Sequence, residues 1–430
     1  MRVVRRPDYK FDGRGFLGDV RQQLFVATVA SGERCQLTRE TLDHNAPDWS
    51  PDGRQIAVRR GIAGNMMRTQ IALIAADSGA TTLIGEPMSG QNSAWSPTGE
   101  QIAFVGSNED GSQPDFYLYT VASGSVRRLT DDLAFLPGSA SATAAPLVWL
   151  DDRDLLCHGV RAGGSGLYHV NTGTGQTEPL VTWQALHGGL SVSADRRVAV
   201  QEYGSPTAVG ELAVVDLATG DAQVITNFNT ATLTEHPPAR WEQITCGAAT
   251  STSTPGSSSR PTSTPPDATW SSSISTAGRT ASTATASTPR SKRWRRTATS
   301  SSPRTRAAPV PTGASFAAAV VGDNGGEDYR DPMAVLDTVL ERPYADRDRS
   351  GIWGYSYGGY MTAWTLGQTD RFKAAVCGAL RFDNVSAFGS ADAGAPHRRL
   401  PDGRHALGAA RNATLTAPPR PARTPSAPRR

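Results

Sequence analysis

The sequence is poor in cysteine, and the cysteines that it has are scattered. Only four occur in 430 residues, at Cys35, Cys157, Cys246 and Cys377. No two of them form a C-x-x-C pair, and no histidines lie at metal-ligand spacing from such a pair. This pattern argues against a disulfide-stabilised scaffold and against a zinc site, and it favours a reducing compartment.

The sequence also lacks a long apolar run. No stretch is long enough to span a bilayer, and the arginines that follow Met1 do not lead into the apolar segment of a signal peptide. We therefore expect a cytoplasmic protein without a membrane partner.

Lysine is almost absent, and the basic charge is unevenly spread. Only three of the 43 basic residues are lysines, a bias that suggests GC-rich codons. Residues 251–310 carry a net charge of +8 and residues 395–430 a net charge of +7, which leaves −12 on the rest of the chain. Neither basic segment provides a series of interleaved aromatic platforms or a recognisable nucleic-acid module, so no nucleic-acid partner is predicted.

The first half of the chain contains a repeat. Residues 47–53 read Pro-Asp-Trp-Ser-Pro-Asp-Gly and precede Gln-Ile-Ala-Val; residues 93–99 read Ser-Ala-Trp-Ser-Pro-Thr-Gly and precede Gln-Ile-Ala-Phe. Looser copies cover residues 147–180 and 190–226. A period in the forties with several short alternating strands per unit is typical of a β-propeller. Residues 1–243 are therefore predicted to form a partial β-propeller of roughly four and a half WD-repeat-like blades.

The repeated motif has a structural explanation. Proline fixes φ and glycine accepts a positive φ, so each Ser-Pro-Asp/Thr-Gly segment is predicted to form a tight turn. The tryptophans of the motif, Trp49 and Trp95, are expected to pack between neighbouring blades rather than to bind a ligand.

The composition changes abruptly in residues 244–312. Of the 60 residues from 251 to 310, 29 are serine or threonine, so this stretch cannot bury a core. One interpretation is a disordered linker. The other is translation in the wrong frame over residues 247–312. Codons for Ile-His-Gly-Gly-Pro-His, read one base later, give the Ser-Thr-Ala-Gly-Arg-Thr of residues 275–280.

Residues 313–394 resemble folded protein again and are predicted to be a fragment of an α/β-hydrolase domain. An amphipathic helix precedes a short buried strand at residues 352–354, and residues 359–368 read as a second helix. One face of the first helix is apolar: Met333, Val335, Leu336, Val339 and Leu340.

Ser356 stands between that strand and that helix, in the sequence Gly-Tyr-Ser-Tyr-Gly-Gly of residues 354–359. The G-x-S-x-G pattern places a nucleophilic serine on a strained strand-to-helix turn. The backbone N–H of the next residue, Tyr357, then points into an oxyanion hole. The sequence therefore predicts Ser356 as the nucleophile and Tyr357 N–H as an oxyanion donor.

The chain resembles the prolyl oligopeptidase family of serine peptidases, in particular its acylaminoacyl-peptidase branch. The resemblance rests on the Trp-Ser-Pro motifs at Trp49 and Trp95, on residues 354–362 and on residues 369–376. It implies a propeller of TolB-like blades followed by an α/β-hydrolase domain. It also implies that Ser356 forms an acyl-enzyme with peptides or blocked N-terminal residues, without a metal or an organic cofactor.

The sequence departs from the family in the rest of the catalytic machinery. The family's His-Gly-Gly-Pro turn and Asn-Pro-Arg-Gly segment are absent. After Ser356 the only histidines are His397 and His405, both in the tail at residues 395–430, which reads as disordered or out of frame. Asp392 falls where the family has an acid outside the triad, so we do not assemble a triad from Asp392 and His405.

Three interpretations of function remain open from the sequence. The chain is a serine peptidase acting on peptides, a catalytically inactive product of a gene for such a peptidase, or a module whose propeller binds a peptide or protein. Without a positioned base, Ser356 is a weak nucleophile.

Overall fold

The computed structural model of the chain contains two kinds of β-sheet. It describes residues 9–11, 15–63, 65–108, 114–130, 136–137, 147–161, 164–183, 186–205, 208, 210–237, 273–276, 298–299, 325–343 and 345–380. Up to residue 224 the described strands pair antiparallel, and between residues 273 and 378 they pair parallel.

The antiparallel part begins with two hairpins and continues with three larger sheets. The hairpins pair β1 with β2 and β3 with β4. The strands are β1 Lys10–Phe11, β2 Gly15–Phe16, β3 Phe25–Ala27, β4 Arg34–Gln36, β5 His44–Trp49, β6 Gln55–Ile62, β7 Asn65–Ala75, β8 Thr81–Trp95, β9 Gln101–Ser107, β10 Asp115–Thr120 and β11 Ser125–Arg128. They continue with β12 Leu136–Pro137, β13 Val148–Trp149, β14 Asp154–Arg161, β15 Gly164–Asn171, β16 Thr177–Trp183, β17 Leu186–Val192, β18 Val198–Gly204, β19 Glu211–Asp216 and β20 Ala222–Val224.

The strand order shows four sequential antiparallel units. One sheet runs β5-β6-β7-β8-β9-β10-β11, and its long strand β8 ends one unit and begins the next. A second sheet runs β12-β14-β15-β16, with β13 also paired to β14, and a third runs β17-β18-β19-β20. The strands of each unit pair with their neighbours in sequence, as predicted from the repeat, except that β12 and β13 both pair with β14. A short helix, α1 (Thr230–Glu235), follows β20.

The turn motif has the predicted conformation. Gly53 and Gly99 adopt φ of 69° and 73°, which a side chain would disfavour. The motif serines stabilise the turn through hydrogen bonds from backbone N–H groups five residues later in the chain. Ser50 Oγ accepts a hydrogen bond from Gln55 N at 2.9 Å, and Ser96 Oγ accepts the equivalent bond from Gln101 N at 3.0 Å.

The core of this region consists of apolar layers between successive units, because one antiparallel unit cannot bury both of its faces alone. Each layer combines side chains from two neighbouring units. The layer between the second and third units, for example, contains Phe116 and Leu118 from β10 and Leu155 and Cys157 from β14. The hairpin β3–β4 is joined to the first unit in the same way.

The motif tryptophans differ in their surroundings. Trp95 is 8% exposed and packs in the layer between the first and second units, as predicted. Trp149 takes the equivalent place one unit later and donates from Nε1 to Ala94 O at 3.0 Å. Trp49 is 47% exposed, so the expectation that it packs between blades is wrong for this residue.

Two carboxylates connect elements within the antiparallel region. Asp48 Oδ2 accepts a hydrogen bond from Trp95 N at 2.9 Å, which joins β5 of the first unit to the end of β8. Burial raises the pKa of Asp48, and this hydrogen bond opposes the rise. Glu211 accepts from Thr226 Oγ1 at 2.5 Å and from Phe228 N at 3.0 Å, and these bonds hold its pKa below the ordinary value.

The parallel sheet has the order β22-β21-β23-β24. Its strands are β21 Ser273–Thr276, β22 Ala298–Thr299, β23 Gly351–Tyr355 and β24 Ala374–Gly378, and the helices of this region are α2 Glu327–Leu340 and α3 Tyr357–Gln368. Ile352 of β23 is buried against Leu336 and Leu340 of α2 and against Phe372. The amphipathic helix and the strand–helix pair around Ser356 are thus present as predicted. None of the helices in the described part of the chain has the length and apolar character needed to cross a bilayer.

Candidate active site

Ser356 lies at the junction of β23 and α3, at the carboxyl end of the strand. Its φ of 57° and ψ of −119° place it in a region of backbone space that side-chain-bearing residues rarely adopt. A residue held there costs about 1–3 kcal/mol and persists only where its surroundings fix it. The side chain is solvent-exposed, so the hydroxyl is accessible.

Backbone hydrogen bonds on both sides fix this turn. Ser356 N donates to Gly378 O at the end of β24 at 2.9 Å, and Tyr360 N donates to Ser356 O at 3.1 Å, the first bond of α3. The strained residue is therefore tied both to the neighbouring strand and to the helix that follows it.

Glycines make the sharp turn sterically possible. A Cβ on Gly354 would lie 2.1 Å from the carbonyl oxygen of Gly358, and a Cβ on Gly359 would lie 2.4 Å from Gly378 O. Both obstacles are backbone atoms, which cannot rotate away. The first and last glycines of the Gly-x-Ser-x-Gly pattern thus face each other directly, and the additional Gly359 allows α3 to approach β24.

Tyr357 is the first residue of α3. The N–H groups of a helix's first turn have no acceptors within the helix, and the helix dipole adds partial positive charge at that end. An oxyanion at this position would be stabilised for both reasons. The Tyr357 side chain is half-buried, and its hydroxyl donates to Asp328 Oδ2.

A loop-and-helix segment before the nucleophile contacts the same helix. Asp328, in the first turn of α2, accepts from Gly325 N through Oδ1 at 2.8 Å. Gly325 O accepts from Trp364 Nε1 at 3.1 Å. The sequence alone gives Asp328 no role, because Asp328 and Tyr357 are 29 residues apart and no local pattern predicts their contact.

No described group near Ser356 is a base of the expected kind. The chain has no histidine between His236 and His397, and therefore none in residues 325–343 or 345–380. His397, His405 and Asp392 lie outside the described residues. Burial raises the pKa of the Cys377 thiol, which keeps this nearby cysteine protonated at neutral pH.

Titratable groups in the antiparallel region have shifted pKa values with structural causes. Burial lowers the pKa of His44, an effect that Glu40 partly offsets, and burial also lowers the pKa of His158. Both imidazoles are therefore neutral at pH 7. Within the described part of the chain, no group of three or more histidine, cysteine, aspartate or glutamate side chains could hold a metal ion.

Comparison with known proteins agrees with this site. Residues 311–402, which include β23, Ser356 and α3, match the model of the prolyl oligopeptidase family. The resemblance to that family noted from the sequence is thereby confirmed.

Two curated relatives match over most of this chain. The uncharacterized peptidase YuxL of Bacillus subtilis is 27% identical over 412 residues, which are 91% of this chain and 62% of that protein. Dipeptidyl-peptidase 5 of Porphyromonas gingivalis is 26% identical over 346 residues, which are 76% of this chain and 48% of that protein. The chain thus spans about half to three fifths of the length of these relatives.

The fold is similar to that of solved peptidase structures. The acylaminoacyl peptidase of Pyrococcus horikoshii superposes with a TM-score of 0.66 at 18% identity, covering 92% of this chain and 61% of that one. At this identity the likeness concerns the fold alone. The described part of this chain contains antiparallel units like those of a propeller and a four-stranded parallel sheet with the strand–helix turn of an α/β-hydrolase.

Proposed function

We propose that this protein is a serine-type peptidase, of the oligopeptidase or acylaminoacyl-peptidase type, that forms an acyl-enzyme at Ser356. The observation that carries the proposal is the backbone of Ser356, held at φ 57° and ψ −119° between β23 and α3. Two relatives are peptidases by name and residues 311–402 match a peptidase family, so peptides are the proposed substrates.

The proposed reaction follows the general course of serine acyl transfer. Ser356 Oγ attacks the carbonyl carbon of the substrate while its proton passes to a base, and the carbonyl oxygen becomes an oxyanion facing Tyr357 N–H. The C–N bond then breaks, and the amine leaves with the proton. Water hydrolyses the ester by the reverse sequence, which restores the serine hydroxyl.

Whether a histidine can accept the proton of Ser356 Oγ decides between this proposal and its main alternative. The triad order of this fold places the acid and the histidine after the nucleophile. In this chain only His397 and His405 follow Ser356. A second candidate is a catalytically inactive product with the peptidase fold, which applies if no base reaches Ser356 Oγ. Removing a triad member leaves only a small fraction of the activity.

A fluorophosphonate probe tests the proposal, since it reacts with activated serines. The full chain should be labelled once, and Ser356→Ala should abolish labelling. Ser125→Ala, which removes an exposed hydroxyl in the antiparallel region, should leave it unchanged. Complete absence of labelling in a folded chain would favour the inactive product.

The third candidate, a propeller that binds a peptide or protein, has a separate test. Residues 1–240 would then yield a soluble fragment that retains peptide binding. Aggregation of that fragment would count against this candidate.

A further inference from the structure

The first turn of α3, which follows Ser356, is connected to α2 by side-chain contacts that the chemistry of acyl transfer does not itself require. These contacts involve Asp328, Tyr357, Trp364 and Gly325. We propose that Asp328 is a positioning residue for the nucleophile turn. It holds the phenol of Tyr357 and thereby fixes both Ser356 and the Tyr357 N–H. The inference rests on the proposed function, because it concerns the same site.

Asp328 is itself held in place. Its Oδ1 accepts from Gly325 N at 2.8 Å while its Oδ2 accepts from the Tyr357 hydroxyl. Each carboxylate oxygen thus has a different partner, one in its own loop and one in α3. A carboxylate bonded through both oxygens cannot rotate about its Cβ–Cγ bond without breaking one of the two bonds.

Tyr357 transmits that constraint to the backbone. It directly follows Ser356, and its ring packs against Tyr360 at a centroid distance of 5.6 Å. Tyr360 in turn stacks against Trp364 at 6.4 Å. The aromatic rings therefore extend along two turns of α3 on the side that faces Gly325.

Trp364 connects α3 back to the loop before α2. Its Nε1 donates to Gly325 O at 3.1 Å, so the amide and the carbonyl of Gly325 bond to Asp328 and to Trp364 respectively. Gly325 has a φ of +91°, and a Cβ there would lie 2.5 Å from Trp364 Cε2. The close approach of the loop to α3 therefore depends on glycine at this position.

This closed set of contacts has a consequence for the reaction. A residue in a strained conformation keeps its geometry only while its surroundings fix it. Displacement of a reacting group by a fraction of an ångström reduces the rate strongly, since productive geometry is narrow. Loss of the Asp328–Tyr357 bond should therefore reduce the maximal rate of acylation without changing the affinity for the acylating reagent.

The test is a double-mutant cycle in the full chain with a fluorophosphonate probe. The variants are Asp328→Ala, Tyr357→Phe and the double variant, with Asp328→Asn as a milder substitution that keeps one acceptor oxygen. Matched controls are Asp337→Asn, another acid of α2, and Tyr329→Phe, which deletes a different phenol hydroxyl.

Each variant is measured for its maximal labelling rate and for its half-saturating probe concentration. Tyr357→Phe and Asp328→Ala should each lower the maximal rate about tenfold, with half-saturation unchanged within about twofold. The double variant should be no slower than the slower single variant, because both remove one interaction. Both controls should label at the wild-type rate.

Additive losses in the cycle, or wild-type labelling by Tyr357→Phe, would overturn the inference. If the wild type does not label at all, the proposed function fails, and the cycle is then measured by amide hydrogen exchange of residues 353–360. Non-additive loss of protection there would support the positioning contact. Additive or unchanged protection would refute it.

Discussion

The strain at Ser356 makes a prediction about stability that does not depend on catalysis. Glycine adopts positive φ without a steric penalty, whereas alanine keeps the Cβ that makes φ 57° unfavourable. Ser356→Gly and Ser356→Ala both remove the hydroxyl, so its contribution cancels in the difference between them. Replacing the nucleophile by glycine should stabilise the turn relative to alanine.

The magnitude follows from two opposing effects. Relief of the strained backbone contributes roughly 1–3 kcal/mol. The greater freedom of glycine in the unfolded chain costs about 0.5–1 kcal/mol. The glycine variant should therefore be more stable than the alanine variant by about 1 kcal/mol, or about fivefold in the equilibrium for local opening.

Amide hydrogen exchange of residues 351–368 is the appropriate assay, because it reports the turn separately from the antiparallel units. Ser350 provides a control of opposite sign. Its φ is −78°, so Ser350→Gly should be less stable than Ser350→Ala. If Ser356→Gly exchanged as fast as Ser356→Ala, or faster, the backbone at Ser356 would not be strained.

Three further predictions concern other residues. Gly354→Ala should destabilise the turn by about 3 kcal/mol in hydrogen exchange, because its Cβ meets the Gly358 carbonyl, whereas Gly367→Ala, with open space around it, should not destabilise α3. Glu211→Gln should lower the melting temperature at pH 7, because hydrogen bonds to the carboxylate lower the pKa of Glu211 in the folded state. The effect should disappear as the pH falls below the ordinary pKa of the carboxyl group and through its folded-state pKa, and a pH-independent effect would contradict this. Asp48→Asn should raise the melting temperature, because burial raises the pKa of Asp48 and disfavours its charged form. The rise should be larger at pH 7 than at pH 4, and equal rises at the two pH values would refute the prediction.

Local features of the fold could be predicted from the sequence because their causes are local. The Ser-Pro-Asp-Gly turn depends on the backbone preferences of its own residues, and Gly53 has the positive φ that these require. The apolar face of α2 follows from helical spacing, and Val335 and Leu336 are buried as expected. The Gly-x-Ser-x-Gly pattern likewise contains the glycines that its turn needs.

Features that depend on contacts distant in sequence could not be predicted. The bond from Trp95 N to Asp48 joins residues 47 apart, and the bond from Tyr357 to Asp328 joins residues 29 apart. The exposure of Trp49 is of the same kind, because Trp49 and Trp95 share the Trp-Ser-Pro motif and differ in the unit that packs against them.

The low-complexity segment contains a strand of the parallel sheet whose sequence is unusually polar for that position. β21 (Ser273–Thr276) pairs parallel with β23, yet it reads Ser-Ile-Ser-Thr, whereas strands inside parallel sheets are mostly apolar. β21 overlaps the residues that become Ile-His-Gly-Gly-Pro-His when the frame is shifted. This coincidence supports the proposal that residues 247–312 are translated out of frame. The nucleotide sequence tests it, and stop codons in the shifted frames would contradict it.

The central claim is that Ser356 forms an acyl-enzyme, and the most direct measurement is the mass of that intermediate. The full chain is mixed with an N-acetylated peptide ester, quenched in acid and digested with trypsin. The account predicts that the peptide of residues 350–371 gains the mass of the acyl group on Ser356, and that Ser356→Ala lacks it. An unmodified peptide in the folded wild-type chain, or an acyl group on another residue, would contradict the account.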